Sequence, residues 1–195
     1  MNLTILEKDL NSNYSNVFGG DTELGAISAS IHRSCIQSGN TLEKNILECV
    51  TDRRLIKGYR IDVKGKNIKP DLVYLSNNQT HYYEVKMGVV FDTKKSSAEI
   101  DCLNLLYNQH KGKNVKCFFV SWTAKTVDDI RKGLKLKTIP KNITLLTGEM
   151  FAKHFKFDVN TPIEMIKDVT SENIRVFFDA VYEQMEKYDY DHEYS

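Results

Sequence analysis

Proline is scarce in this chain, three residues in 195, and glycine contributes only ten. Neither a collagen-like repeat nor a Pro/Gly-rich disordered chain can be built from that composition. No apolar run approaches the roughly 18 residues that a membrane-spanning helix requires, so no segment is expected to cross a bilayer. The start, Met1-Asn2-Leu3-Thr4-Ile5-Leu6-Glu7, has no basic region followed by a long apolar stretch, the pattern of a secretion signal. The four cysteines, Cys35, Cys49, Cys102 and Cys117, form no CxxC pair and have no histidine partners nearby. That spacing argues against a zinc cluster and fits reduced thiols, so a cytoplasmic protein is expected. Phosphate-binding P-loops, nucleophile elbows and dinucleotide fingerprints are also missing, Gly19-Gly20 being too little for the last.

What the chain does have is an ordinary soluble composition, 41% hydrophobic and 27% charged, in a length sufficient for a sizeable core. A single domain over 1–195 is expected. The net charge of +1 conceals an uneven distribution. Residues 86–141 carry twelve Lys/Arg against five Asp/Glu, a local excess of +7, and residues 158–195 carry three against ten, an excess of −7. A basic middle can meet a phosphate backbone while an acidic end faces away from it; two solvated surfaces would give the same counts.

Hydrophobic periodicity predicts helices over 22–36 and 41–52, separated by Gln37-Ser38-Gly39-Asn40. Three strand-like runs follow at about 58–63, 71–75 and 81–87, the last two joined by the polar turn 76–80 into a hairpin. Ser97 to His110 reads as a helix with Ile100, Leu103, Leu106 and Tyr107 on one face. The nearly continuous apolar run Val115 to Trp122 reads as a central strand covered on both sides. A helix at about 126–133, a strand at Ile143 to Thr147, and helices at about 148–154, 161–168 and Ser171 to Lys187 complete the chain. This order fits an α/β fold, a mixed central β-sheet flanked by helices on both faces.

On the strand from His81 to Met87, alternation puts Glu84 and Lys86 on one face, roughly 7 Å apart along the strand. His81, Tyr83 and Val85 share the opposite, apolar face, which makes His81 a structural or surface residue. Across the hairpin, Asp71 follows Pro70 at the start of the partner strand, within reach of Glu84. Two carboxylates so placed repel unless a cation lies between them, and hard oxygen donors with open positions suit Mg²⁺. Lys86 beside such an ion can orient a water and offset charge on a phosphate. The competing reading of these residues is a structural ion pair.

Pro70-Asp71, twelve residues, then Glu84-Val85-Lys86 on a hairpin, with a helix and a buried strand next, resembles the PD-(D/E)XK nuclease superfamily. The resemblance covers about 38–122 and implies a restriction-endonuclease-like core, followed by a helical part at about 148–187. It implies that Asp71, Glu84 and the backbone carbonyl of Val85 ligate Mg²⁺ and that Lys86 orients the attacking water. Ser38-Gly39-Asn40-Thr41-Leu42-Glu43 is similar to the helix start of many type II restriction endonucleases, where a helical glutamate joins the active site. Helical phase favours Glu43 over Glu48, since Leu42, Ile46, Cys49 and Val50 define the apolar face and Glu43 borders it. Pairing of Glu43 with Arg53 or Arg54 is the alternative. Lys94 and Lys95, and Lys111 and Lys113, are candidates for phosphate contacts, or else ordinary solvated cations.

The expected function is therefore Mg²⁺-dependent hydrolysis of duplex DNA by a type II restriction enzyme, acting as a homodimer if its site is palindromic. A junction resolvase or repair nuclease of the same fold, or a non-catalytic DNA-binding module, would share these elements.

Overall fold

The computed structural model of the protein describes residues 41–110, 114–136 and 138–166. The helices expected at 22–36 and from Ser171 to Lys187, and the lysines Lys111 and Lys113, lie outside those residues. The chain divides into two compact units, Thr41–Ile163 and Met1–Asn40 with Glu164–Ser195. Every strand and candidate site residue described below belongs to the first.

That unit contains helix α1 (41–49) and then β1 (Leu55–Lys57), β2 (Ile61–Val63), β3 (Lys66–Ile68), β4 (Leu72–Ser76) and β5 (Gln79–Lys86). Helix α2 (Thr93–Gln109), β6 (Val115–Ser121), α3 (Val127–Leu134), β7 (Ile143–Thr147) and α4 (Gly148–Phe155) follow. Five strands form one sheet in the order β1-β4-β5-β6-β7. Its β1-β4-β5 half is antiparallel and its β5-β6-β7 half is parallel. Parallel neighbours cannot be joined by a tight turn, so α2 carries the chain from β5 to β6 and α3 from β6 to β7.

Helices cover both faces, as the sequence pattern implies. On one, α2 and α3 bring Ile100, Leu103, Leu106, Ile130 and Leu134 into one cluster with Val73, Tyr82, Phe119 and Leu145 of the sheet. On the other, α4 sets Phe151 and Phe155 against Tyr83 and Tyr74, with ring centroids 5.2 and 5.3 Å apart. Tyr82 and Tyr83, adjacent in sequence, thus serve opposite cores, which is the alternation of a doubly covered strand.

Three local expectations are corrected. The run at 58–63 does not join the main sheet. Its residues 61–63 pair with 66–68 in a separate two-stranded ribbon, and the third antiparallel strand is β1 instead. The ribbon's turn is Lys64-Gly65, both with positive φ (53° and 80°), the conformation that a two-residue hairpin requires and glycine favours. The β4–β5 turn is likewise shorter than the polar run 76–80 suggests, because Ser76 already pairs with Gln79. Helix α2 begins at Thr93 rather than Ser97, capped by Asp92, whose side chain accepts from Lys95 N at 2.8 Å. The first turn of α2 has no apolar residue to reveal it, so only the cap marks its start.

One glycine fixes the approach of the chain to the site. Gly58 follows β1 and donates its N–H to the carbonyl of Asp71 at 2.8 Å. A Cβ built on Gly58 would stand 1.6 Å from the Pro70 carbonyl oxygen, so no side chain fits. At Gly88, by contrast, the nearest atom to such a Cβ is 4.0 Å away. Gly58→Ala is expected to destabilise the protein by about 1–3 kcal/mol or more through overpacking, whereas Gly88→Ala leaves the denaturation midpoint nearly unchanged. Urea unfolding of the two variants checks the contrast; equal midpoints would show that 58 and 70 are not in contact.

Candidate active site

The β4–β5 ladder ends with Leu72 opposite Tyr83, and the next residue outward on the β4 side is Asp71. Asp71 N donates to the Tyr83 carbonyl at 3.0 Å, and Asp71 Oδ2 accepts from Val85 N at 2.7 Å. The carboxylate thereby replaces the backbone acceptor that a longer β4 would have offered. On a strand, the N–H and C=O of one residue point to the same side, so the Val85 carbonyl also points past the end of β4, beside Asp71. Lys86 faces the other neighbour, its carbonyl accepting from Trp122 N at 2.7 Å. Glu84, Val85 and Lys86 are therefore fixed between a parallel partner on one side and the Asp71 carboxylate on the other.

Glu84 and Lys86 share a face as alternation requires, and their side chains meet, Lys86 Nζ donating to Glu84 Oε1 at 2.6 Å. The same ammonium donates to Glu99 Oε1 of α2 at 2.8 Å. All three side chains are largely buried, at 12, 24 and 16% exposure for Glu84, Lys86 and Glu99. Burial raises the Glu84 carboxyl to about 8, helped by the Asp71 charge and only partly opposed by Lys86. For Lys86 burial pulls downward, but the Glu84 charge and the hydrogen bonds to Glu84 and Glu99 override it and hold the ammonium above its ordinary value. Glu99 Oε2 is buried and finds no hydrogen-bond partner among the described residues. Such a triad is not a source of stability in itself, because desolvating three charges costs about as much as their attraction returns.

Glu43 of α1 lies against Asp71. Burial, the Asp71 charge and hydrogen bonding with Asp71 raise it to about 7, while Lys57 and Lys69 act in the opposite sense. Neither arginine takes it. Arg54 is bound to Asp52 at 2.7 Å, and Glu48 stands solvated opposite Lys44 at 3.5 Å. The structure thus brings Glu43, Asp71, Glu84 and Lys86 together and adds Glu99.

Glu99 is the residue that reading the sequence missed, although a signal existed. At 100° per residue it falls between Leu103 and Leu106 in phase, inside the apolar stripe of its helix. A carboxylate there must be paired or functional. Lys94 and Lys95 are exposed on the first turn of α2, and Lys95 lines a cavity of about 320 Å³ with Lys86, Gly88, Val90 and Glu99. A larger hollow of about 620 Å³ lies at the far edge of the sheet between α3 and β7, away from these carboxylates. His81 sits on the Tyr83 face, its ring nitrogens near Tyr83 Oη (3.3 Å) and Gln79 Oε1 (3.2 Å), and takes no part.

Among the described residues no three His, Cys, Asp or Glu side chains gather closely enough to hold a metal ion by themselves. The donor set available is two carboxylates, Asp71 and Glu84, with the Val85 carbonyl. These are hard oxygens that leave positions open, which fits Mg²⁺.

Glu43 and Glu84 set the pH dependence of the folded state. Both are protonated more readily when folded (about 7 and about 8) than at their ordinary value of 4.5. Between those limits the native state holds more protons than the unfolded one, so stability from these groups is greatest below 4.5 and is lost as pH rises through 8. Melting temperature without added metal should fall from pH 5 to pH 8, and Glu84→Gln should flatten that slope. An equal slope in the variant would remove Glu84 as its source.

No family model and no curated protein matches the chain. Among solved structures it is similar to the crystal structure of the small subunit of the heterodimeric restriction endonuclease R.BspD6I, with a TM-score of 0.39 and 14% identity. That similarity covers 74% of this chain and 90% of the other, and at such a score it carries no functional argument.

Proposed function

We propose that the protein is a Mg²⁺-dependent endonuclease hydrolysing phosphodiester bonds of duplex DNA, with the sequence-specific cleavage of a type II restriction enzyme, and that it works as a homodimer. The observation that carries this reading is the approach of the Asp71 carboxylate, bound to Val85 N, to Glu84 beyond the end of the β4–β5 ladder, with Lys86 bonded to Glu84. Asp71, Glu84 and the Val85 carbonyl would hold the ion, and the chemistry it supplies when bound is neutralisation of charge on the phosphate under attack.

The rest falls to the chain's own residues. Lys86, kept protonated by two carboxylates, can donate but not accept a proton. Its role is to orient the attacking water and to offset negative charge as it develops, rather than to act as the base. Glu99 holds the ammonium in place from α2. Glu43, in hydrogen bonding with Asp71, adjusts the charge around the first carboxylate. The basic excess of residues 86–141, with Lys94, Lys95, Lys111 and Lys113 within it, supports a polyanionic substrate. A DNA-binding module with a purely structural ion-pair network would have the same contacts and no turnover.

Supercoiled plasmid incubated with Mg²⁺ should be cut to discrete fragments, with activity lost in EDTA. Lys86→Ala and Asp71→Asn should lower the rate by about 100-fold or more. Glu99→Ala should lower it about 10- to 100-fold, as loss of a supporting contact does, and Glu99→Gln less, since its amide oxygen still accepts from Lys86. Intact plasmid under every divalent metal tried would falsify the nuclease reading, and cutting confined to branched DNA would shift the substrate to junctions.

A further inference from the structure

The strongest basic density in the described unit is not where the sequence counts first placed it. Residues 53–69 carry seven Lys/Arg, Arg53, Arg54, Lys57, Arg60, Lys64, Lys66 and Lys69, against Asp62 alone. All seven are exposed. Arg54 is engaged, bonded to Asp52 and lying 5.1 Å over the Tyr74 ring. Among the described residues none of the other six is in an ion pair. We infer that the β2–β3 ribbon and its two flanks form an arm that tracks the phosphate backbone of duplex DNA next to the carboxylate site, an inference that rests on the DNA reading above.

Three observations support it. The arm is held in one conformation. Its buried side chains, Val63 and Ile68, belong to the same cluster as Ile100, Leu103 and Leu106 of α2. Gln109 donates to the Asp62 carbonyl at 3.3 Å, and Asp62 Oδ1 closes the turn by accepting from Gly65 N at 3.2 Å. Second, the arm is rooted at the site. Its entering strand passes through Gly58, bonded to the Asp71 carbonyl, and its leaving strand runs through Lys69 and Pro70 into Asp71. Lys57 and Lys69 are near enough to Glu43 to act on its charge. Third, its outer side is polar and unpaired, with Lys64 at the tip and Asp62 and Asn67 paired across the ribbon. Lysines also protect short exposed strands from edge-to-edge aggregation. That role does not account for six exposed cations without an ion pair among the described residues, two of which, Lys57 and Lys69, act on Glu43 at the site. A two-stranded ribbon is also narrow enough to enter a duplex major groove.

The test is binding of a fluorescent 30-base-pair duplex in EDTA, followed by anisotropy across a KCl series. Lys64→Asn/Lys66→Gln removes two charges, and asparagine accepts the left-handed conformation at 64. Exposed Lys153→Ala/Lys156→Asn, outside both basic segments, is the charge-matched control. Each phosphate contact contributes about 0.9 to the slope of log K against log salt. The tip variant should therefore lose about 1.8 of slope and roughly tenfold or more in affinity at 100 mM KCl. The control should keep wild-type values. A tip variant with unchanged slope, or wild type that binds no duplex, overturns the arm. If wild type binds with the steep slope and the tip variant loses it, yet Mg²⁺ never brings cleavage, the arm stands and the nuclease reading alone fails.

Discussion

The hydrogen bond from Val85 N to Asp71 Oδ2 stands where a backbone carbonyl of β4 would otherwise stand, and this substitution organises the end of the sheet. Pro70 cannot donate to a ladder, so the β4 side gives up regular pairing there. A carboxylate supplies the missing acceptor and in doing so is carried close enough to Glu84 for its charge to act there. The Val85 carbonyl, directed to the same side, is left beside both. Two acidic side chains and one backbone oxygen thus converge because one strand is shorter than its neighbour. Gly58 is part of the same constraint, since a side chain at that position would displace the Pro70 carbonyl and Asp71 with it.

Converging carboxylates set an electrostatic problem that the fold solves only partly. Glu84 and Glu99 hold one buried cation, Lys86, while Asp71 stands near Glu84 and Glu43 near Asp71. The fold answers with protons, for Glu43 and Glu84 are raised to about 7 and about 8. A proton is a poor neutraliser near neutral pH, because it is half gone at the pKa. Asp71 and Glu84 could hold a divalent ion, which would supply the positive charge now supplied by the Glu84 proton, with Lys86 still holding Glu99. Glu99 Oε2, buried in the same cluster, has no hydrogen-bond partner among the described residues.

Alternation along one strand was sufficient to set Glu84 and Lys86 on one face and His81 on the other, because β5 is long and straight and its period is 2. Helical phase was sufficient to turn Glu43 rather than Glu48 inward. The same phase argument applied to α2 points to Glu99, but a helix after the motif invites attention to its start and its apolar stripe, not to an acid inside that stripe. The β2–β3 ribbon was hidden for a different reason. Its two strands have three residues each, below the length at which alternation is legible, and Tyr59, apolar in the sequence but exposed in the fold, made 58–63 resemble a longer strand. The partners of β1 and β4 are decided by the Gly58–Asp71 contact, which is long-range and has no local signature.

The ribbon and the site are complementary in sign. A cluster of four carboxylates repels a phosphate backbone, and salt screens exposed charges beyond roughly 8–10 Å, so distant lysines cannot compensate. Attraction has to be supplied close by. Lys57 and Lys69 do this at the root of the arm, and Lys64 and Lys66 extend it outward along a strand rise of roughly 3.3 Å per residue. A polyanion held along that line is presented to Asp71 and Glu84 against their own repulsion. The chain segment that places Asp71 in the sheet is thus the same segment that carries the exposed cations of the proposed arm.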